Sequence, residues 1–161
     1  MSKKATFRVA FYRGTRPGVA GVYNWFVRQW ESGPYSHVEL QFSDGVSASS
    51  SFADKGVRFK DIDYTSGQWD FIDLPAHLEK YARAYFEKHN GEKYDLIGNV
   101  HFLIGFIQHA NDRKFCSEAV AEALGILEGW RYGPNALYPM LIALRDAHAC
   151  GECADNVRLY R

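Results

Sequence analysis

The chain has 161 residues, the length of one domain, and its 47% hydrophobic and 24% charged residues suit a globular fold with a real core. Nineteen basic and nineteen acidic residues cancel, which removes any global electrostatic reason to bind nucleic acid or an anionic membrane. The opening "MSKK" lacks the apolar run of a signal peptide and no stretch approaches the length of a membrane span, so no integral membrane segment is predicted and the expected setting is the cytoplasm.

In chain order, "ATFRVAFYRG" alternates and is β-rich, a strand ending at Gly14. "VYNWFVRQWE" places Val22, Trp25, Phe26 and Trp30 toward one side of a short helix, and "SGPYS" breaks it. "HVELQF", the turn "SDG" and "VSASSSF" read as a β-hairpin. "GVRFKDIDY" and "QWDFIDL" are two further strands. Pro75 opens a helix over residues 76–89, with Leu78, Tyr81, Ala82, Tyr85 and Phe86 as its buried stripe. After "NGEKYD" comes a glycine-interrupted helical segment, "LIGNVHFLIGFIQHA". "NDRK" leads into a helix that begins at Cys116 and ends near Gly125. "YGPNALYPMLIALRDA" is a last helix or pair of helical turns, and "VRLYR" a last strand. The expected fold class is α+β: a single domain over residues 1–161, one antiparallel sheet with helices on one side.

Chemistry centres on "KFCSEAV". Cys116 falls in the first turn of a helix, where unpaired N–H groups and the positive end of the dipole favour a thiolate, and Arg113 and Lys114 push the same way. The plain alternative is a small buried core thiol. A nucleophilic thiol needs a base, and the chain offers six histidines. His77 and His89 lie at the ends of an amphipathic helix, and His101 and His109 in or just after the glycine-interrupted segment. His148 sits beside "CGEC". His37 differs, because it opens a strand. Alternation puts His37, Glu39 and Gln41 on one face and Val38, Leu40 and Phe42 on the core face. A three-residue loop, Ser43 to Gly45, pairs Phe42 with Val46 and Leu40 with Ala48, and leaves Gln41 opposite Ser47, Glu39 opposite Ser49 and His37 opposite Ser51. The outcome is a polar strip that either lines a site or is a solvated sheet face.

Cys150 and Cys153 form a lone CxxC with His148 just before it. Three ligands fall short of the four a structural zinc site needs, and the thioredoxin arrangement of strand, CxxC and helix is absent. Loop thiols, a labile disulfide and a metal site all stay open; no metal and no cofactor is predicted.

The motifs "YSHVEL", a hairpin, "GVRFKDI", "GEKYD" and "KFCSEAV", in that order, resemble the circularly permuted branch of the NlpC-type papain-like cysteine hydrolases, YiiX-like proteins and their small phage-encoded relatives. The resemblance spans roughly residues 7–141. It implies a papain-like α+β fold with the histidine strand first and the cysteine helix last, and thiol-dependent cleavage of an amide or ester bond. A phage origin would add the host cytoplasm or a virion as settings. It assigns Cys116 as nucleophile, His37 as base and Tyr94 as a contributor to the oxyanion site. The family's third polar residue is the departure: the second hairpin strand offers only Ser47, Ser49 and Ser51. Ser49 has the best spacing; Glu39, two residues along the histidine's own strand and roughly 7 Å away, is the alternative. Trp25, Phe26, Trp30 and residues 102–106 are available as pocket walls. The implied partners are a peptide, peptidoglycan-type or lipid amide or ester substrate. Two other classes compete: a catalytically inert papain-like binding or virion-associated module, and a redox or metal module built on "HACGEC".

Overall fold

The computed structural model describes residues 6–15, 21, 25, 27–29, 31–51, 53–94 and 113–149, with backbone alone for residues 94, 113, 114 and 149. Among these, seven strands form one sheet in the order β5-β1-β2-β3-β4-β6-β7. They are β1 (Arg8–Tyr12), β2 (His37–Gln41), β3 (Ser47–Ser51), β4 (Gly56–Lys60), β5 (Trp69–Asp73), β6 (Lys93–Tyr94) and β7 (Arg113–Lys114). The α-helices with described bounds are α1 (Glu79–His89), α2 (Cys116–Ala123) and α3 (Pro134–Ala149). The class is α+β, as the alternation and helical spacing predict.

Period-two patterning explains the five long antiparallel strands. Val9 lies opposite Leu40, and Phe11 opposite Val38. These side chains share one face and join Ala82, Phe86, Ala119, Val120, Leu137 and Leu141 of the three helices in the main core. Ala10, Tyr12 and Trp69 fall on the other face, in a smaller cluster with Ile62, Tyr64 and Phe71 packed against it. The segment after β4 therefore covers the second face; it was expected to continue the strand and instead leaves it at Lys60.

The hairpin adopts the three-residue loop. Leu40 pairs with Ala48 and Gln41 with Ser47, and the Phe42 N–H donates to the Val46 carbonyl at 2.8 Å. Asp44 Oδ1 accepts from the Val46 N–H at 3.0 Å, and Gly45 takes φ 97°, a left-handed value that favours glycine.

Two expectations need correction. The sheet is not wholly antiparallel: β6 pairs antiparallel with β4, but β7 runs parallel to β6. Two-residue strands carry no periodicity, so "NGEKYD" read only as the end of the preceding helix. The stripe of the helix after Pro75 also excludes Tyr81, which is exposed, while Ala82 and Phe86 are fully buried. The first turn of that helix is a 3-10 segment, Ala76–Leu78.

Helix α2 stops where glycine permits it. Gly125 has φ 78°, its N–H donates to the Glu122 carbonyl, and the Ile126 N–H reaches the Ala121 carbonyl, which is the Schellman arrangement. Residues 25 and 27–29 are helical as predicted, with Trp25 exposed. The expectations for the segment over 95–109, for Phe26 and Trp30, and for the strand "VRLYR" lie outside the described residues.

Candidate active site

Cys116 is the first residue of α2, and strand β7 delivers it there through Phe115. The Glu118 carboxylate accepts a hydrogen bond from the Phe115 N–H at 3.2 Å, tying off the helix start. Backbone hydrogen bonds from Val38 and Ser117 reach the thiol and favour its charged form. Burial outweighs them: Cys116 is 3% exposed, and desolvation, with a smaller contribution from Glu39 and Glu31, pushes the thiol up to about 12. The helix start alone therefore does not make a standing thiolate, contrary to the expectation from sequence. The side chains of Arg113 and Lys114 lie outside the described residues.

His37 opens β2, and the loop before it is fixed by α3. Asn135 Oδ1 accepts from the Tyr35 N–H at 2.8 Å, and Asn135 Nδ2 donates to the Tyr35 carbonyl at 2.8 Å. Glu31 Oε2 accepts from the Asn135 N–H at 2.9 Å and from Asn135 Nδ2 at 2.7 Å, so one carboxylate closes the helix start and the loop together. A Cβ on Gly133 would lie 1.6 Å from Glu31 Oε1, so a larger residue there would displace this carboxylate from Asn135. The Ser36 N–H donates to the Tyr12 carbonyl at 2.9 Å and hands the chain into β2 in register.

Glu39 meets His37 directly. His37 Nε2 lies 2.7 Å from Glu39 Oε1. The two Cα atoms are a strand repeat apart, but both side chains project from the same face and lean together, which closes the roughly 7 Å backbone spacing. Arg58 Nη1 donates to Glu39 Oε2 at 2.7 Å and Nη2 to Glu39 Oε1 at 2.5 Å, a two-pronged contact. Arg58 Nε continues to Asp54 Oδ2 at 2.9 Å, and Lys60 Nζ reaches Asp54 Oδ1 at 2.7 Å. Glu39 is wholly buried. Burial alone would raise its pKa, but the Arg58 hydrogen bonds and the adjacent imidazole outweigh that and hold it at about 2. Burial lowers the Arg58 pKa and the two carboxylates more than reverse it.

Neither a protein-family model nor a curated protein matches this chain. Roles at the site are therefore argued from its own geometry.

The serines of β3 have other uses. Ser49 Oγ donates to the Val38 carbonyl at 2.6 Å, on the residue whose N–H holds the thiol, and Ser47 Oγ lies 2.7 Å from Tyr64 Oη. Spacing had favoured Ser49 as the group that orients His37; the carboxylate at Nε2 is Glu39 instead. Tyr94 pairs with Lys114 through the backbone, two residues before Cys116, and its side chain lies outside the described residues. Of the other histidines, His89 Nδ1 lies 2.6 Å from Glu92 Oε1, His77 packs beside His148, and His101 and His109 lie outside the described residues. Arg58, Asp54, Glu31 and Asn135 were missed from sequence. Arg58 was detectable: it sits between Val57 and Phe59, so alternation turns it onto the strip's polar face, opposite Ser49.

Proposed function

We propose that the protein is a thiol-dependent hydrolase of an amide or ester bond, with Cys116 as nucleophile, His37 as general base and Glu39 as the group that orients His37. The fold we assign is papain-like in permuted order, histidine strand before cysteine helix. One observation carries the reading: the buried Glu39–His37 contact, braced by Arg58, stands one residue from the Val38 N–H that hydrogen-bonds the Cys116 thiol.

Glu39 stays an anion at any working pH because its pKa is about 2. It holds the proton on Nε2 and leaves Nδ1 to act as the base. The resting thiol is neutral, since burial disfavours a standing thiolate. Proton transfer then accompanies attack: the Cys116 proton moves to Nδ1 as sulfur bonds the substrate carbonyl carbon. The carbonyl oxygen becomes an oxyanion, met by the Cys116 N–H at the helix start and, in the family arrangement, by Tyr94. The imidazolium, stabilised by Glu39, protonates the leaving amine or alkoxide as its bond to carbon breaks. Water then gives a proton to His37 and attacks the thioester, and the acid leaves as the Cys116 sulfur regains its proton. The substrate classes are a peptidoglycan-type peptide, an isopeptide, or a lipid amide or ester.

The near-complete burial of the thiol favours one competing reading, an inert domain retained for binding. Intact-mass detection after exposure to a panel of acyl-donor probes separates the two. A covalent adduct that maps to Cys116, and vanishes in both Cys116→Ala and His37→Ala, is expected of the hydrolase. No adduct with any probe, in protein whose Cys116 is reduced, is the result of the inert module.

A further inference from the structure

Ser51 is 1% exposed, and its Oγ has no hydrogen-bond partner among the described residues. The other two serines that alternate with it along β3 are satisfied, Ser47 at Tyr64 Oη and Ser49 at the Val38 carbonyl. Glu92 Oε2 is also buried without a partner, but its carboxylate is held through Oε1 by His89. A buried hydroxyl left unpaired costs free energy that nothing in the fold returns, so it calls for a use.

The sheet places Ser51 between the base and the strand that leads to the nucleophile. The register of Leu40 with Ala48 and Gln41 with Ser47, carried on along β2 and β3, sets Ser51 opposite His37. On its other side Ser51 pairs with Gly56, Gly56 with Lys93 and Lys93 with Arg113, three residues before Cys116. Beside this row the pairing of β2 with β3 ends, at Leu40 and Ala48. The Val38 carbonyl takes the Ser49 hydroxyl, and the Val38 N–H turns to the Cys116 thiol. Alternation puts Ser51 on the same face of the strip as Ser49 and His37.

We propose that Ser51 is a further catalytic residue: its hydroxyl donates to the carbonyl oxygen of the bound amide or ester and to the oxyanion that oxygen becomes, beside the Cys116 N–H. The inference rests on the thiol-hydrolase reading. As the sulfur–carbon bond forms, the carbonyl π pair moves onto oxygen, and Ser51 meets that charge while keeping its own proton. Collapse of the intermediate returns the pair to the carbonyl and expels the leaving group. A donor that has no partner in the free protein breaks no hydrogen bond when the charge appears, which is what makes it effective.

Two reagents for the same thiol test this. Acetylation of Cys116 by p-nitrophenyl acetate passes through an oxyanion, and its nitrophenolate leaves without needing a proton. Alkylation by iodoacetamide is a displacement at a saturated carbon and forms no oxyanion. Both are read at Cys116 by peptide mass spectrometry. Ser51→Ala is expected to slow acetylation by about a hundredfold or more, the usual loss for one oxyanion donor, and to leave the alkylation rate unchanged. Its urea midpoint is expected to be no lower than that of wild type, because the hydroxyl removed was unpaired. Ser51→Gly removes the same hydroxyl and is expected to show the same split between reagents, should the alanine variant fail to fold. Acetylation at the wild-type rate in a folded variant overturns the proposal and leaves the hydrolase reading standing. Equal losses with both reagents also overturn it, since they mark a displaced thiol. Wild-type protein that alkylates at Cys116 but takes no acetyl there defeats the hydrolase reading, and the role of Ser51 falls with it.

Discussion

The two faces of strand β2 are built on opposite principles. Toward the helices, Val38 and Leu40, with Phe42 just beyond the strand, are fully buried among aliphatic and aromatic neighbours, and many small contacts share the stabilisation. On the other face His37, Glu39 and Gln41 are also buried, yet each relies on one or two specific polar partners. Burying a carboxylate and a guanidinium costs several kcal/mol each before pairing returns it. A solvated strip would have avoided that cost. The contrast teaches that the apolar face holds the fold, whereas the polar face spends stability to hold one imidazole at one angle.

The largest effect expected from breaking this contrast is at Arg58. Arg58→Leu leaves the Glu39 carboxylate buried and unpaired, and is expected to destabilise the protein by about 3–5 kcal/mol in urea unfolding. Adding Glu39→Gln to it is expected to recover a large part of that loss, because the orphan charge is gone. On the apolar face, Leu40→Ala is expected to cost about 2–5 kcal/mol, and Glu39→Gln is expected to restore none of it. Additivity between Arg58→Leu and Glu39→Gln would show that the pair is not a unit.

The pH dependence sharpens the same contrast. Glu39 and Asp54 are both held at about 2, below their ordinary values of 4.5 and 3.8. For a lowered carboxyl pKa, the stabilisation is fully present above the ordinary value and is lost as pH falls toward the folded one. Stability is therefore expected to drop from about pH 4.5 down to pH 2, a window set by those two shifts. Glu39→Gln is expected to flatten that slope, and Leu40→Ala to lower the whole curve without changing its shape. An unchanged slope in Glu39→Gln would mean the acid loss arises elsewhere.

Ser49 is expected to matter least. Its hydroxyl supports the Val38 carbonyl, so Ser49→Ala is expected to cost about 1 kcal/mol in stability. Turnover should change little beside the loss in Glu39→Gln. A larger loss of turnover in Ser49→Ala would restore the serine as the orienting group.

What the sequence made legible follows from periodicity. Strand alternation gave the hairpin register and the separation of His37 from Val38, and helical spacing placed Cys116 at a helix start. Alternation says which residues share a face but not whether a later segment covers it, so the burial of Glu39 beneath the chain after β4 was beyond it. Alternation put Arg58 on the polar face, but its pairing with Glu39, like the contact of Asn135 with Glu31 and Tyr35, was harder still. Each acts across a register or a helix–loop contact that joins segments distant in sequence, and no local pattern marks such a pair. The thiol pKa failed for a related reason: the helix start is local and visible, while the burial that outweighs it is a property of the folded whole. His77 and His148 show the same limit.

The most direct measurement is the pH profile of Cys116 alkylation by iodoacetamide, read by peptide mass spectrometry in wild type and in His37→Ala, with circular dichroism confirming the fold of both. If His37 is the proton partner, wild-type alkylation rises as His37 loses its proton, well below the range in which the thiol ionises on its own. His37→Ala is then expected to lose that phase and to react only as pH climbs toward the thiol's own value of about 12. Identical profiles in the two proteins would contradict the pairing of Cys116 with His37 and leave the inert module as the standing account.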